Sequence, residues 1–158
     1  MSSLQDVQIT RVTCGSYHTA AVGGGGRLWT WGGGMYGKLG HGTEAGCSRP
    51  KVVGAVEGLR VKEVACGSRH TLAVVEGGEV YGWGDKENGV SGHGETEGHQ
   101  YTPRALQALR GVNVIDVSAC GFHSAVVDSE VRRGRGCEER KMEWEERSDE
   151  ALRILWPS

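Results

Sequence analysis

Cysteine and histidine recur at one spacing in this chain, and these two residue types are the first candidates for chemistry. Cys14 stands four positions before His18, and Cys66 stands four positions before His70. Each pair is a possible half-site for zinc, but zinc needs four converging ligands, usually with a C-x2-4-C arm that this sequence lacks. In a third copy of the pattern the cysteine position holds Ala119. The pattern therefore favours packing and predicts no metal site.

The repeated histidines are also candidates for general bases. A general base needs a positioned partner and a substrate pocket, whereas a residue that occurs once per repeat is distributed around the fold. We therefore expect each histidine to form a hydrogen bond across a corner of the chain, and the repeated tryptophans to anchor packing. The sequence predicts no catalytic residue. The residues expected to be structural are His18, His70, His123, Trp31, Trp83, Gly32 and Gly84.

A Gly-rich segment formally matches a dinucleotide-binding fingerprint, with glycines at Gly32, Gly34 and Gly37. That fingerprint binds pyrophosphate only where a helix follows it, because the helix N-terminus faces the phosphates. Here another Gly-rich turn follows, and Lys86 replaces the middle glycine in the second copy. The sequence therefore predicts a loop, and no cofactor.

The elements that carry these residues are copies of one unit. The segment VTCGSYHTAAV, which begins at Val12, returns 52 residues later as VACGSRHTLAV. A third copy, VSACGFHSAVV, begins 53 residues after the second. Each full unit contains four short runs of strand-forming residues, with paired glycines at the first hairpin turn. Roughly fifty residues with four strands are typical of a propeller blade.

These blocks resemble the regulator of chromosome condensation repeats, over about residues 6 to 127. The matching blocks are CGSYHTAAV, CGSRHTLAV, LWTWGGGMYGKLGHG and VYGWGDKENGVSGHG. Members of that family close a propeller of about seven blades. The resemblance therefore implies an all-β fold, an incomplete β-propeller of about 52-residue, four-stranded blades. We expect a first repeat at 6–58, a second at 59–111 and a truncated third at 112–127, or about two and a third repeats.

Two blades and a fragment leave strand edges and blade faces uncovered. Two explanations stay open: partner chains complete the propeller, by self-association or otherwise, or the chain is a fragment or isoform of a longer protein. Residues 128–158 break the repeat, since 16 of these 31 residues are charged. We expect this tail to be either a charged helix over Glu138 to Trp156 or solvated and disordered.

Composition and charge narrow the classes of function. The formal net charge is −2, and acidic and basic residues balance within the repeats, which argues against nucleic-acid binding. The N-terminal segment lacks the long apolar run of a signal peptide or membrane span, so we expect no membrane partner and an intracellular location, cytoplasmic or nuclear. Five cysteines, an odd number, fit reduced thiols better than a disulfide framework.

Recognition residues are expected where the copies differ. One such position immediately precedes the repeated histidine, and others lie in the long loop after the Trp-Gly pair. Aromatic and arginine side chains on a rigid rim are typical anchors of protein contacts, although drift on an unselected surface would produce the same differences. The candidate protein-contact residues are Tyr17, Arg69, Phe122, Tyr36, Lys38 and Asn88.

The resemblance implies two classes of function. The first, which we favour, is a non-catalytic protein–protein interaction module within a longer signalling or ubiquitin-ligase-associated protein. The alternative is guanine nucleotide exchange on a small GTPase, the activity of the founding family member, which uses a protruding wedge that has no counterpart in these two copies. Ultraviolet sensing through clustered tryptophans is disfavoured, because the position two before each repeated histidine holds Ser16, Ser68 or Gly121 and not tryptophan.

Overall fold

A computed structural model describes residues 4, 6–94, 97–129, 144–147 and 150–155. Within these ranges the chain forms three antiparallel sheets of four strands each. In the same ranges, no helix has the length and apolar character needed to cross a membrane. Four short 3-10 helices lie in the loops, at Met35–Gly37, Gly54–Val56, Glu87–Gly89 and Gln107–Leu109. The all-β prediction is confirmed.

The first sheet is built from consecutive strands in the order β1-β2-β3-β4. A tight turn at Gly26, with φ 78°, joins the second strand to the third, and a long Gly-rich loop joins the third to the fourth. The positive φ is the reason for glycine at that turn. The four strands are β1 (Ile9–Cys14), β2 (His18–Gly23), β3 (Leu28–Gly32) and β4 (Cys47–Val52).

The second sheet repeats the first in order and in register. His70 pairs with Gly84 across the central strands, as His18 pairs with Gly32 in the first sheet. The sequence period thus reproduces the strand pairing residue by residue. The four strands are β5 (Val61–Cys66), β6 (His70–Val75), β7 (Val80–Asp85) and β8 (His99–Ala105).

The third sheet begins as the others do, with β9 (Val114–Cys120) and β10 (His123–Asp128), and is then completed differently. Strand β12 (Glu150–Leu155) pairs with β10, and β11 (Trp144–Arg147) lies outside β12. The predicted helix, or disorder, is therefore wrong for these two segments; the rest of that prediction lies outside the described residues. The physical reason is the free edge of β10, whose backbone N–H and C=O groups bond to β12.

The three sheets stack face to face, and small side chains make the stacking close. Ala20 and Ala73 are fully buried between the first two sheets, beside Trp83. A second apolar layer, centred on Leu72 and Val126, lies between the second and third sheets. Burial of these layers is the main stabilising contribution available to a chain so rich in glycine.

Candidate protein-contact surface

The three copies of the repeated box place their corners side by side. Strands β1, β5 and β9 each end at a corner, from which the chain returns as the next strand. The hydroxyl oxygens of Ser16 and Ser68 lie 2.8 Å apart, and the Ser68 N–H donates to the Gly121 carbonyl at 3.0 Å. The residue before each histidine is therefore presented on one continuous surface that crosses all three sheets.

Arg69 lies between two aromatic rings that come from different sheets. Its guanidinium carbon is 4.6 Å from the ring centre of Tyr36, in the first-sheet loop, and 5.2 Å from that of Phe122, at the third corner. A guanidinium within about 6 Å of a ring face is attracted by the ring quadrupole. We call Tyr17, Tyr36, Arg69 and Phe122 the corner surface. Three of these four predicted contact residues thus form one stacked group.

A buried carboxylate holds Arg69 in place from below. Asp85 is 1% exposed, and its Oδ2 lies 3.4 Å from Nη1 of Arg69. The Oδ1 atom of Asp85 accepts a hydrogen bond from the Glu87 backbone N–H at 3.0 Å. The Glu87 carboxylate also lies 3.6 Å from Nη1 of Arg69. Because its partners fix the guanidinium, Arg69 has little side-chain freedom to lose when a partner binds.

The aromatic group extends beyond the residues that the sequence identified. The ring of His99 meets Tyr36 edge-on, with centres 5.2 Å apart, and meets Tyr101 in the same way at 6.2 Å. Nδ1 of His99 also lies 3.5 Å from the Asp85 carboxylate. The signal available in the sequence was the difference between the outer strands CSRPKV and HQYTPRA, together with Asp85 standing where the first copy has Gly33.

Exposure divides the predicted contact residues into two kinds. Tyr17 is 77% exposed and Phe122 is 42% exposed, so both rings are available to a partner. Lys38 is only 3% exposed, and the prediction of a surface contact is wrong for it. Its ammonium donates to the Met35 carbonyl at 3.3 Å, and burial followed by the charge of Arg69 lowers the pKa of Lys38. The Asn88 side chain lies outside the described part of the chain.

The repeated histidines join neighbouring sheets through a hydroxyl group. Thr71 Oγ1 donates to the Lys38 carbonyl at 2.8 Å and lies 2.8 Å from Nε2 of His18. One sheet further on, Ser124 Oγ donates to the Val90 carbonyl at 2.9 Å and lies 2.7 Å from Nε2 of His70. We call this arrangement the latch: a histidine and a loop carbonyl from one sheet, and a hydroxyl from the next.

The latch fixes the tautomer and the charge of its histidines. Because each hydroxyl donates its only proton to a carbonyl, Nε2 of the histidine must donate to the hydroxyl oxygen. Nδ1 of His18 and of His70 is buried without a hydrogen-bond partner. Burial lowers the pKa of both histidines to about 4, so both are neutral at physiological pH. In each ring Nε2 donates its proton to a hydroxyl of the next sheet and Nδ1 is buried. Neither ring is therefore placed to act as a general base.

The third histidine is placed differently from the other two. His123 is exposed, whereas His18 and His70 are 3% and 0% exposed. A Cβ built on Gly15 would lie 2.7 Å from the His18 ring, and Cys120 occupies the equivalent position before His123. A side chain at this position closes the space into which the first two histidine rings fold.

The two repeated tryptophans differ in burial, whereas the two repeated glycines share one backbone constraint. The Trp83 indole is fully buried and donates to the Lys38 carbonyl at 2.9 Å, whereas Trp31 is only half-buried. Gly32 and Gly84 both have φ 108°, and a Cβ on either would lie within 2.8 Å of a histidine Cα. Glycine is therefore required there by conformation and by space.

The cysteines that the structure describes show no arrangement for metal binding. Among the residues that the structure describes, no group of three or more His, Cys, Asp or Glu side chains is placed to hold a metal ion. Cys66 is buried, and burial raises the pKa of its thiol to about 12. Cys14 and Cys120 are exposed, so the packed position predicted for the repeated cysteines applies to Cys66 alone.

Comparison with known proteins decides the family. The model of the "Regulator of chromosome condensation (RCC1) repeat" matches residues 25–74 and 77–127, which together are more than half of the chain. The chain belongs to the RCC1 repeat family. Among solved structures, Prp20p from Saccharomyces cerevisiae superimposes with a TM-score of 0.74 at 23% identity, over 84% of this chain and 34% of that one. The resemblance identified from the sequence and the incomplete β-propeller fold are confirmed.

RCC1-repeat relatives are found among much longer proteins. The chain is 42% identical over 135 residues to the E3 ubiquitin-protein ligase HERC2 of Homo sapiens, and this match covers 83% of the chain but 3% of the relative. It is 41% identical over 128 residues to the Ultraviolet-B receptor UVR8 of Arabidopsis thaliana, covering 80% of the chain and 29% of the relative.

Proposed function

We propose that this RCC1-repeat chain is a non-catalytic protein-interaction module, and that the corner surface is where it contacts its partner. The observation that carries the proposal is the Arg69 guanidinium, held between the rings of Tyr36 and Phe122 and supported by the buried Asp85 carboxylate. One stacked group thereby joins residues from all three sheets. Such rigid groups of arginine and aromatic side chains are enriched at the centres of protein interfaces.

The geometry of the corner surface supports binding of a protein rather than a small molecule. Tyr17 and Phe122 project exposed rings, and Met35 adds a flexible apolar side chain that is 61% exposed. Aromatic rings bury a large area at little cost in conformational entropy, and methionine adapts to irregular partner surfaces. The partner expected from these features presents an apolar patch bordered by hydrogen-bonding groups.

The relatives support an interaction role but leave the biological setting as part of the proposal. HERC2 is named as a ubiquitin ligase, yet the chain covers a small part of it, so the match supports the repeats and not the ligase activity. We place the module within ubiquitin-ligase-associated or signalling assemblies inside the cell, cytoplasmic or nuclear. No cofactor enters this function.

Affinity capture with surface variants tests the proposal. The purified chain and a Tyr17→Ser/Phe122→Ser double variant are each immobilised, and the partners that they capture are compared. The double variant removes the two exposed rings without emptying the core. Ile115→Ser is the matched control, because Ile115 is 44% exposed at the opposite end of β9. Partners retained by the wild type and the control but lost by the double variant are expected. Equal capture by all three proteins would rule out the corner surface as the contact site.

Guanine nucleotide exchange on a small GTPase is the alternative function. Prp20p has binding properties to Gsp1p and histones, but that chain is 23% identical and shares the fold alone. An exchange factor accelerates nucleotide release at catalytic amounts, whereas a binding module only co-purifies with its partner. We expect no acceleration of labelled GDP release from a captured GTPase. If the wild type accelerated GDP release and the double variant did not, nucleotide exchange would replace the interaction module as the proposed function.

A further inference from the structure

Only one hydroxyl-bearing residue in this sequence stands directly before a proline. The sequence has three prolines, and the residues that precede them are Arg49, Thr102 and Trp156. A residue before proline is biased towards an extended backbone, because the proline ring crowds the helical conformation. Thr102 therefore combines a hydroxyl that can accept a phosphoryl group with a backbone that a second protein can bind as an extended segment.

Thr102 lies in a bulge of the outermost strand of the second sheet. Strand β8 pairs with β7 on one side, and within the described ranges no strand pairs with its other side. The register of β8 against β7 shifts between Gln100 and Arg104, so that residues 101–103 stand opposite one residue of β7. A proline fits such a bulge because it has no N–H to donate to the ladder. The Thr-Pro pair is therefore outside the regular pairing of the sheet.

The bulge is held from one side and presents Thr102 on the other. The Gly42 N–H, from the long loop of the first sheet, donates to the Tyr101 carbonyl at 2.9 Å. Thr102 is exposed, whereas Pro103 behind it is half-buried. The hydroxyl of Thr30, by contrast, is buried and donates to a loop carbonyl at 2.6 Å. A modifying enzyme can thus reach the Thr102 side chain while the fold stays intact.

The first sheet contains the same bulge without a hydroxyl before its proline. Residues 48–50 of β4 stand opposite one residue of β3. They are Ser48, Arg49 and Pro50, and the exposed Ser48 is separated from the proline by Arg49. The two copies therefore share the backbone feature and differ in the residue that can be modified, which provides an internal control.

We propose that Thr102 is a phosphorylation site for a proline-directed serine/threonine kinase. In the transfer, Thr102 Oγ1 forms a bond to the γ-phosphorus of a nucleoside triphosphate, and the bond from that phosphorus to its bridging oxygen breaks. The hydroxyl proton passes to a carboxylate of the kinase, and the nucleoside diphosphate leaves. The product adds a charge of about −1.5 to −2 at pH 7. This inference does not depend on the corner surface.

Incubation of the full chain with a purified proline-directed kinase and Mg-ATP tests the site. Mass spectrometry of the peptides should find one phosphate per chain, on Thr102, and none in Thr102→Val. Pro103→Ala should slow the transfer at least about tenfold, because it removes the bias towards an extended backbone. Arg49→Thr, which places a hydroxyl before Pro50 in the equivalent bulge of the first sheet, should accept a second phosphate.

A peptide of residues 97–108 distinguishes a site on the folded surface from one that is reached only by unfolding. A surface site in the full chain should be phosphorylated within about tenfold of the peptide's rate, whereas a site that needs unfolding reacts in proportion to the small open population. A rate more than about tenfold below that of the peptide would overturn the proposal. Modification of Ser48 as fast as that of Thr102 would overturn it as well, because the adjacent proline would then not matter.

Discussion

Mild acid should destabilise this protein because its two latch histidines resist protonation in the folded state. The pKa of His18 and of His70 falls from 6.5 to about 4, chiefly because both rings are buried. In the unfolded chain each histidine takes up a proton as the pH falls below 6.5, whereas in the folded chain it does so only near pH 4. Acidification between these values therefore favours the unfolded state, and stability present above pH 6.5 is lost.

The size of the effect follows from the two pKa values. At pH 5, a histidine with pKa 6.5 unfolded and about 4 folded destabilises the fold by about 2 kcal/mol. Two such histidines remove about 4 kcal/mol, which is a large part of the 5 to 15 kcal/mol expected for a typical domain. The unfolding midpoint should therefore drop steeply between pH 7 and pH 5.

Glutamine variants isolate the contribution of the latch. Gln places an amide N–H near the position of Nε2 and does not titrate, so His70→Gln preserves a donor to Ser124 Oγ. Urea unfolding at pH 7 and pH 5, followed by circular dichroism, should show about 2 kcal/mol less acid destabilisation in this variant than in the wild type. His18→Gln should behave alike. If the double variant retained the full acid dependence, the assignment of these two groups would be refuted.

Three further predictions concern packing and thiol reactivity. Trp83→Phe removes a buried indole and its hydrogen bond, and should destabilise the chain by about 2 to 3 kcal/mol in urea unfolding, against less than about 1 kcal/mol for half-buried Trp31→Phe; equal costs would contradict the assigned packing. Gly84→Ala should cost about 3 kcal/mol or more, and Gly77→Ala only about 1 kcal/mol, because both glycines have positive φ but only the first lacks space. Cys66 should stay unlabelled by a maleimide until the chain unfolds, while the exposed thiols of the repeated box react at once. Mass spectrometry of the labelled peptides measures both reactions, and early labelling of Cys66 would disprove its burial.

The repeat was predictable from the sequence because glycine turns and paired strands must recur when one unit is copied. The 52-residue offset that links His18 to His70 in the sequence also links their strand partners, Gly32 and Gly84. The tail was not predictable in the same way. Its apolar residues satisfy a helical spacing, but the free edge of β10, a feature of the tertiary structure, offers hydrogen bonds that favour strand β12.

The corner surface was only partly predictable, because differences between copies identify positions and not environments. The comparison of copies found Arg69 and its two aromatic neighbours, whose side chains the fold then stacks together. It missed Asp85, which supports the arginine, and it placed Lys38 on the surface. Lys38 lies against the second sheet, where Thr71 and Trp83 donate to its carbonyl, and no property of the lysine or of its own loop indicates that contact.

Hydrogen–deuterium exchange of the chain bound to a captured partner tests the central claim most directly. The account predicts slower exchange on binding in the peptides that contain Tyr17, Arg69 and Phe122, and no change at the far ends of β1, β5 and β9. Protection confined to those far ends or to the outer strands β4 and β8, with the three corners unchanged, would contradict it.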